Sequence, residues 1–337
     1  MTANPSDPPA APAQEGIDRP RVARHLVTAA AKLLARRDPA HNLRKALSLL
    51  HAGGASAVVG GVEDTDVEAQ RLAVLRSLPD GGGPVCLLVS FSPDGRFWPH
   101  LLSYGRSLRA SGCRVVLIAT TDRADLRCLD PGPEVADAVV VRENHGYDFA
   151  AWASVLRLWP RLWDCEALWF ANDSVYHAPG LFPAFAARIA ASRAEVVAAT
   201  ASALFAPHVQ SYFFVLKQAA LARPATRAFF AGVRALADKN AVIRAYEVPL
   251  EAALEAGGAT VEVLALQDGA GNASLTHWRA LVEAGLPFVK VQLLRENPYK
   301  IDLSGWRGAL GGFGFDIAEV ELHLGSYGQP AAALLVD

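Results

Sequence analysis

Several absences narrow the class of this chain before any motif is considered. Its four cysteines, Cys86, Cys113, Cys128 and Cys165, form no Cys-x-x-Cys pair and sit mostly among apolar residues. Neither a disulfide framework nor a thiolate zinc site is expected from them; they read as reduced core residues of a cytoplasmic protein. No stretch approaches the roughly 20 uninterrupted apolar residues of a membrane span, and no internal repeat is seen. Positive charge is not in excess either, with a net charge of -2 and a pI near 6.5. Neutralising a nucleic-acid backbone needs a basic face that this total does not supply, so no nucleic-acid partner is expected. The opening MTANPSDPPAAPAQEG lacks a basic start followed by an apolar core and does not read as a secretory leader.

What is present divides the 337 residues into three parts. Residues 1–19, rich in Pro and Ala, bury too little apolar surface to offset their ordering entropy and read as a disordered tail. Residues 20–80 read as an N-terminal helical segment. Val22, Leu26, Ala30, Leu33 and Leu34 share one helical face, and a second short helix carrying Leu43, Leu47 and Leu50 ends at Gly53 and Gly54. Between Arg21 and Lys45 seven basic residues face one acid, Asp38, giving a local charge of +6. That charge suits peripheral contact with the anionic inner face of a membrane. The solvated side of packed helices is the alternative, and the preferred one.

Residues 81–337 form the main domain. PVCLLVSFS (84–92) and CRVVLIATT (113–121) are continuous apolar runs bounded by turn signals, the pattern of strands buried on both faces. A helix between them, from about Trp98 to Ser111, makes a βαβ unit. Further strands are predicted at 136–144, 166–171, 195–202, 209–217 and 261–266, with helices at 148–158, from Pro179 to about 192, 219–238, 248–256 and 275–284. The expected class is α/β, with a Rossmann-type, mostly parallel central sheet flanked by helices.

Ligands of such sheets collect at the carboxyl ends of the strands. Asn172-Asp173-Ser174 stands at one such end, where a carboxylate suits a metal or phosphate site and where the same residues also serve as turn formers. Asn144-His-Gly146-Tyr-Asp148 stands at another. Gly146 would let the backbone pass close to a ligand, and Asp148 either caps the following helix or meets that ligand. Trp152 reads as core. On the stretch from His208, alternation puts His208, Gln210 and Tyr212 on one face and Ser211 on the other. Glu247 opens a helix, where it either favours the dipole or faces a substrate as general base. Lys290, in an apolar run, is either exposed on a strand face or buried with a partner such as phosphate.

The ordered blocks NHGYDFAAW, FANDSVYHAPG, HVQSYF, YEVPLEAALEAGG and Trp278 followed by PFVKVQLLRENP resemble the rhamnan synthesis protein F family over about residues 84–305. The resemblance implies a GT-A-like glycosyltransferase that moves a sugar from a nucleotide-diphosphate donor to a bacterial surface polysaccharide or lipid-linked glycan. Rhamnose is the sugar the family name suggests. It implies that Asp173, in the place of an Asp-x-Asp turn, holds a divalent ion, magnesium or manganese, with one carboxylate where two are usual. Asn144, Gly146, Asp148, Asn172, Gln210 and Lys290 would meet the nucleotide, its phosphates or the sugar. Glu247, or else His208, would deprotonate the glycan acceptor for in-line attack with inversion. The single carboxylate leaves room for an inactive module that only binds nucleotide sugar or glycan. A metal-dependent hydrolase using Asp173 and His208 finds no second His and Asp cluster to support it.

Overall fold

Two apolar layers on the faces of one sheet follow from strands whose successive side chains point to opposite sides. The computed structural model describes residues 64–265, 271–327 and 334. The tail and the helices expected between residues 22 and 50, with their basic stretch, lie outside the described residues. The strands used below are β1 (Leu72–Arg76), β2 (Val85–Phe91), β3 (Arg114–Thr121), β4 (Ala138–Glu143), β5 (Ala167–Asn172), β6 (Val175–His177), β7 (Val196–Ser202), β8 (His208–Val209), β9 (Phe213–Lys217), β10 (Val261–Ala265) and β11 (Phe288–Lys290). The helices are α1 (Pro99–Ala110), α2 (Tyr147–Leu158), α3 (Phe182–Ala191), α4 (Pro224–Ala231), α5 (Val248–Ala256), α6 (Val291–Glu296), α7 (Trp306–Gly312) and α8 (Ile317–Leu324).

Nine strands form the main sheet, in the order β10-β7-β9-β5-β2-β3-β4-β1 with β8 added beside β7. The block β5-β2-β3-β4 is parallel throughout, as is the pair β10 and β7. Strand β9 runs antiparallel to β5 and β7, and β1 antiparallel to β4. The sheet is therefore mixed, with β10, β7, β5, β2, β3 and β4 running in one direction, as the mostly parallel expectation had it, and β9 and β1 against them. Strand β1 is a correction, since its residues were expected in the N-terminal helical segment. It lies at the sheet edge with Val74 and Leu75 exposed, so it lacks the continuous burial that marks β2 and β3.

Alternation on the central strands sorts the core. Leu87 and Val89 face a layer with Phe149 and Trp152 of α2 and Leu250 of α5, while Cys86 and Leu88 face Leu101, Tyr104 and Leu108 of α1 and Phe182 and Phe185 of α3. Trp152 is fully buried and its indole N–H donates to the Leu87 carbonyl at 3.1 Å. Phe170 and Phe214, directly opposite on β5 and β9, stack at 4.5 Å. Such cross-strand aromatic pairs add about 0.5–1.5 kcal/mol beyond their burial.

Proline and turn chemistry account for two corrected boundaries. The helix expected over 219–238 is divided, because Pro224 cannot donate to the ladder and starts α4 instead. The strand expected over 209–217 is also divided, with β8 and β9 separated by a turn at Gln210–Tyr212.

The C-terminal helices α6, α7 and α8 pack around Trp278, Trp306, Leu310 and Tyr176 in a third cluster. At its border His100 of α1, His177 of β6 and His323 of α8 are buried close together, the His100 and His323 rings 4.2 Å apart. Ser107 hydrogen-bonds His177 at 2.9 Å, and Tyr176 and Tyr327 hydrogen-bond the two nitrogens of His323. Among the described residues His100 has no partner for either ring nitrogen. Burial pushes His100 and His177 down to about 3 and His323 to about 4.

Candidate active site

The carboxyl ends of β2 and β5 converge on one acidic side chain. The N–H of Asp173 continues the ladder to the Val89 carbonyl at 3.1 Å. Its Oδ2 then accepts from the Ser90 hydroxyl at 2.8 Å and the Phe91 N–H at 2.9 Å. Burial raises the Asp173 pKa, against these two hydrogen bonds. Asn172 faces the other way along the turn. Its amide donates to Asp148 Oδ2 at 2.7 Å, and its carbonyl oxygen accepts from the Ser174 N–H and hydroxyl.

That amide brings a second carboxylate to Asp173 from 25 positions earlier in the chain. Burial, and next to it the Asp173 carboxylate, pushes the Asp148 carboxyl up to about 6. Asp148 stands in the first turn of α2, whose start is shaped by Gly146 (φ 82°) and Tyr147 (φ 57°), both left-handed. A Cβ on Gly146 would lie 2.5 Å from the Ala150 Cβ and 2.6 Å from the Ala235 Cα. The absence of a side chain at Gly146 thus allows a close approach to its own chain at Ala150 and Ala235.

Lys290 arrives through the short pair β6 and β11, in which it sits opposite Val175, directly after the Asn172–Ser174 turn. Its ammonium lies 3.9 Å from the Tyr212 ring centroid. Burial lowers Lys290 to about 8, while Glu247 and Asp148 oppose the shift. Two cations that the sequence did not single out join it electrostatically, Lys239 toward Asp148 and Lys290, and Arg295 toward Asp173. Arg295 stands in the RENP block, where a charged pair on an apolar helix was a visible signal; Lys239 had none.

Glu247 closes a five-residue π-type turn, Ile243–Glu247, just before α5. Such turns occur frequently at functional sites. Ser211 donates to Glu247 Oε2, and His208 Nε2 lies 3.5 Å from Oε1. Burial would raise Glu247, but the bonds from His208 and Ser211 and the Lys290 charge outweigh it and leave the carboxyl below its ordinary value. His208 in turn is held above its ordinary value by Glu247 and the Ala206 carbonyl, against burial.

Here the turn at Gln210–Tyr212 overturns the expected alternation. His208 and Ser211 meet at Glu247, whereas Gln210 and Tyr212 both bond Thr200, at 2.7 and 2.9 Å. Gln210 is buried and its remaining amide reaches Asn272. Asn144 is exposed and donates to Asp122, at the end of β4, three strands from β5 and so roughly 14 Å away at ordinary strand spacing. Asp148, Asn172, Asp173, Glu247, His208 and Lys290 are thus brought together, and Asn144 and Gln210 are not.

The charged cluster is taken as the candidate site, because burial and mutual fields shift its groups away from their ordinary values. Depressions of about 410 Å³ beside Arg188 and Glu262 and about 180 Å³ beside Asp80 and Arg114 touch none of these residues. Among the described residues no group of three His, Cys, Asp or Glu could hold a metal by itself, and no helix is long and apolar enough to cross a membrane. Asp148 and Asp173 still keep one oxygen each without a hydrogen bond from the described residues. Such a pair suits a hard cation that completes its shell with phosphate oxygens.

No curated protein matches the chain. The family model of rhamnan synthesis protein F does, over residues 118–304, which is more than half of the 337 residues and spans the stretches carrying Asp148, Asp173, His208, Glu247 and Lys290. The chain therefore belongs to the rhamnan synthesis protein F family.

Proposed function

We propose that the protein is a glycosyltransferase of surface-polysaccharide synthesis, using a nucleotide-diphosphate sugar as donor. The observation that carries this reading is the Asn172 amide holding Asp148 within the electrostatic reach of Asp173 at the carboxyl end of a central strand, with Lys290 paired to Val175 just after the same turn. Family membership supports the reaction class, and the family name favours rhamnose as the sugar. The mixed sheet with its parallel centre is compatible with a GT-A-like scaffold.

The chemistry follows from what the residues can do. Glu247 is ionised at neutral pH and is oriented by Ser211 and His208, so it can accept the proton of an acceptor hydroxyl. The freed oxygen attacks C1 of the sugar, the bond from C1 to the diphosphate oxygen breaks, and the nucleoside diphosphate leaves with the electron pair. Attack opposite the leaving group inverts the configuration. Lys290, Arg295 and Lys239 stabilise the charge that develops on the diphosphate. A divalent ion held by Asp148 and Asp173 would neutralise part of the same charge. His208 suits support of Glu247 better than the base role, because one of its nitrogens meets Glu247 and the other the Ala206 carbonyl. With Asp148 beside Asp173 the ground for a merely binding module, a lone carboxylate, is weakened.

Full-length protein incubated with a panel of UDP, GDP and dTDP sugars, with and without manganese, tests the reading through release of nucleoside diphosphate. A melting temperature raised by one donor identifies the nucleotide by mass action. Absence of both release and thermal shift across the panel would remove the proposal.

A further inference from the structure

The loop from β7 to β8, two strands along the sheet from β5, carries two neighbouring apolar side chains into solvent. Leu204 is 43% and Phe205 59% exposed. Phe205 also has φ 76°, a left-handed backbone that a bulky residue rarely adopts. Conformations of this kind persist where the surroundings enforce them and cluster at ligand clamps. The loop is tied down at both ends. Ala203 N–H and the Ser202 hydroxyl donate to the Gly271 carbonyl, and the Leu204 N–H donates to the Ser202 hydroxyl. On the far end the Ala206 carbonyl meets the His208 ring at 2.7 Å.

Arg244 stands over that ring, its guanidinium 5.6 Å from the centroid. Arg244 belongs to the same π-type turn as Glu247, three residues before it. Phe205 is therefore connected to Glu247 twice, through Arg244 along the turn and through Ala206 and His208 across the loop. One face of the ring meets a cation and the rest remains open. An apolar ring face next to a fork of hydrogen-bond donors matches a pyranose, whose axial C–H groups stack on aromatics while its hydroxyls accept from a guanidinium. A nucleotide fits less well, because the cations that interact with Asp148 and Asp173 are Lys239, Lys290 and Arg295, whereas the ring meets Arg244.

We propose that Phe205 and Arg244, with Leu204 beside them, form a saccharide subsite for the glycan acceptor, stacking the sugar that presents its hydroxyl to Glu247. The subsite rests on the transferase reading for its role in turnover, but sugar binding at Phe205 can be read without turnover. Full-length protein is examined by saturation-transfer NMR with methyl α-L-rhamnopyranoside and methyl α-D-glucopyranoside. One of them receives saturation at its C–H face protons in the wild type, loses most of it in Phe205→Ala, and keeps it in Phe205→Trp. Donor-induced thermal shift is the same in all three proteins, which shows that the loop variants are folded. Where a donor and acceptor turn over, Phe205→Ala raises the acceptor KM by about tenfold, the scale of one aromatic contact, with donor KM unchanged. Equal saturation in wild type and Phe205→Ala, or donor turnover by a wild type to which neither glycoside transfers, would overturn the subsite. Glycoside binding that depends on Phe205, without release of nucleoside diphosphate from any donor, would instead sink the transferase reading and leave the subsite standing.

Discussion

Two groups of titratable side chains can be compared directly, the buried His100, His177 and His323 cluster under α8 and the half-buried Asp148, Asp173, Glu247 and Lys290 cluster at the carboxyl edge of the sheet. In the first, burial meets no opposite charge, so all three imidazoles are driven to the neutral form. In the second, burial is opposed by hydrogen bonds and by charges of the other sign, and Glu247 stays ionised although buried surroundings favour its acid. Loss of solvent alone therefore does not identify a reactive centre. The distinguishing feature is charge that is retained at an energetic cost, which a packing role would not require.

The sharpest way to break this comparison is to remove one charge from the second group. Glu247→Gln keeps the shape and is expected to lower turnover by between about 10² and 10⁴, the range of general-base contributions, with a small fall in melting temperature from the lost pairing with His208. Full turnover in steady-state assays would assign the base elsewhere. Asp173→Asn leaves an acceptor for Ser90 and Phe91 and is expected to cost on the order of 10²-fold in turnover, through weakened handling of the diphosphate. An unchanged rate would detach Asp173 from the chemistry.

The first group is expected to respond in the opposite sense. His100→Leu removes two buried nitrogens that lack partners among the described residues, and so removes a desolvation cost of about 1–3 kcal/mol. Urea unfolding should show stability equal to or above the wild type, with turnover unaltered. A loss of activity would mean that the neutral cluster is part of the site.

The smallest effect concerns pH. Burial opposes the charge on His208, but Glu247 and the Ala206 carbonyl raise its pKa, so its share of the ion pair is complete below about pH 6.5 and is lost as pH rises through the elevated folded value. Glu247, held low, contributes above about pH 4.3 and loses that contribution as pH falls through its depressed value. The melting-temperature difference between wild type and His208→Asn should therefore be greatest near pH 5 to 6 and narrow as pH rises through the elevated folded value. A difference that never narrows as the solution is made alkaline would show that His208 carries no charge in the folded protein.

The same contrast explains what could be read without coordinates. Strands β2 and β3 are continuous apolar runs closed by turn residues, so their burial on both faces was visible, and Asp173 could be placed at a strand end. The exposed edge strand β1 carries no such run and was missed. The orientation of β9 was not legible because alternation does not encode direction, and the turn at Gln210–Tyr212 reversed the faces assigned to His208 and Ser211. Asp148 beside Asp173 was out of reach for a different reason. It depends on the side-chain amide of Asn172 and on the contact of Gly146 with Ala235, and neither leaves a periodic trace.

The turn that ends at Glu247 has one further consequence. A π-type turn accommodates one residue more than an α-helical one, so the helix that follows begins with a fixed rotational offset. Removing a single residue from Ile243–Glu247 would let the segment wind as ordinary helix and rotate the carboxylate by about 100° away from Ser211 and His208, with α5 itself still formed. Chain length in this short stretch, as much as the identity of its side chains, sets where the carboxylate points.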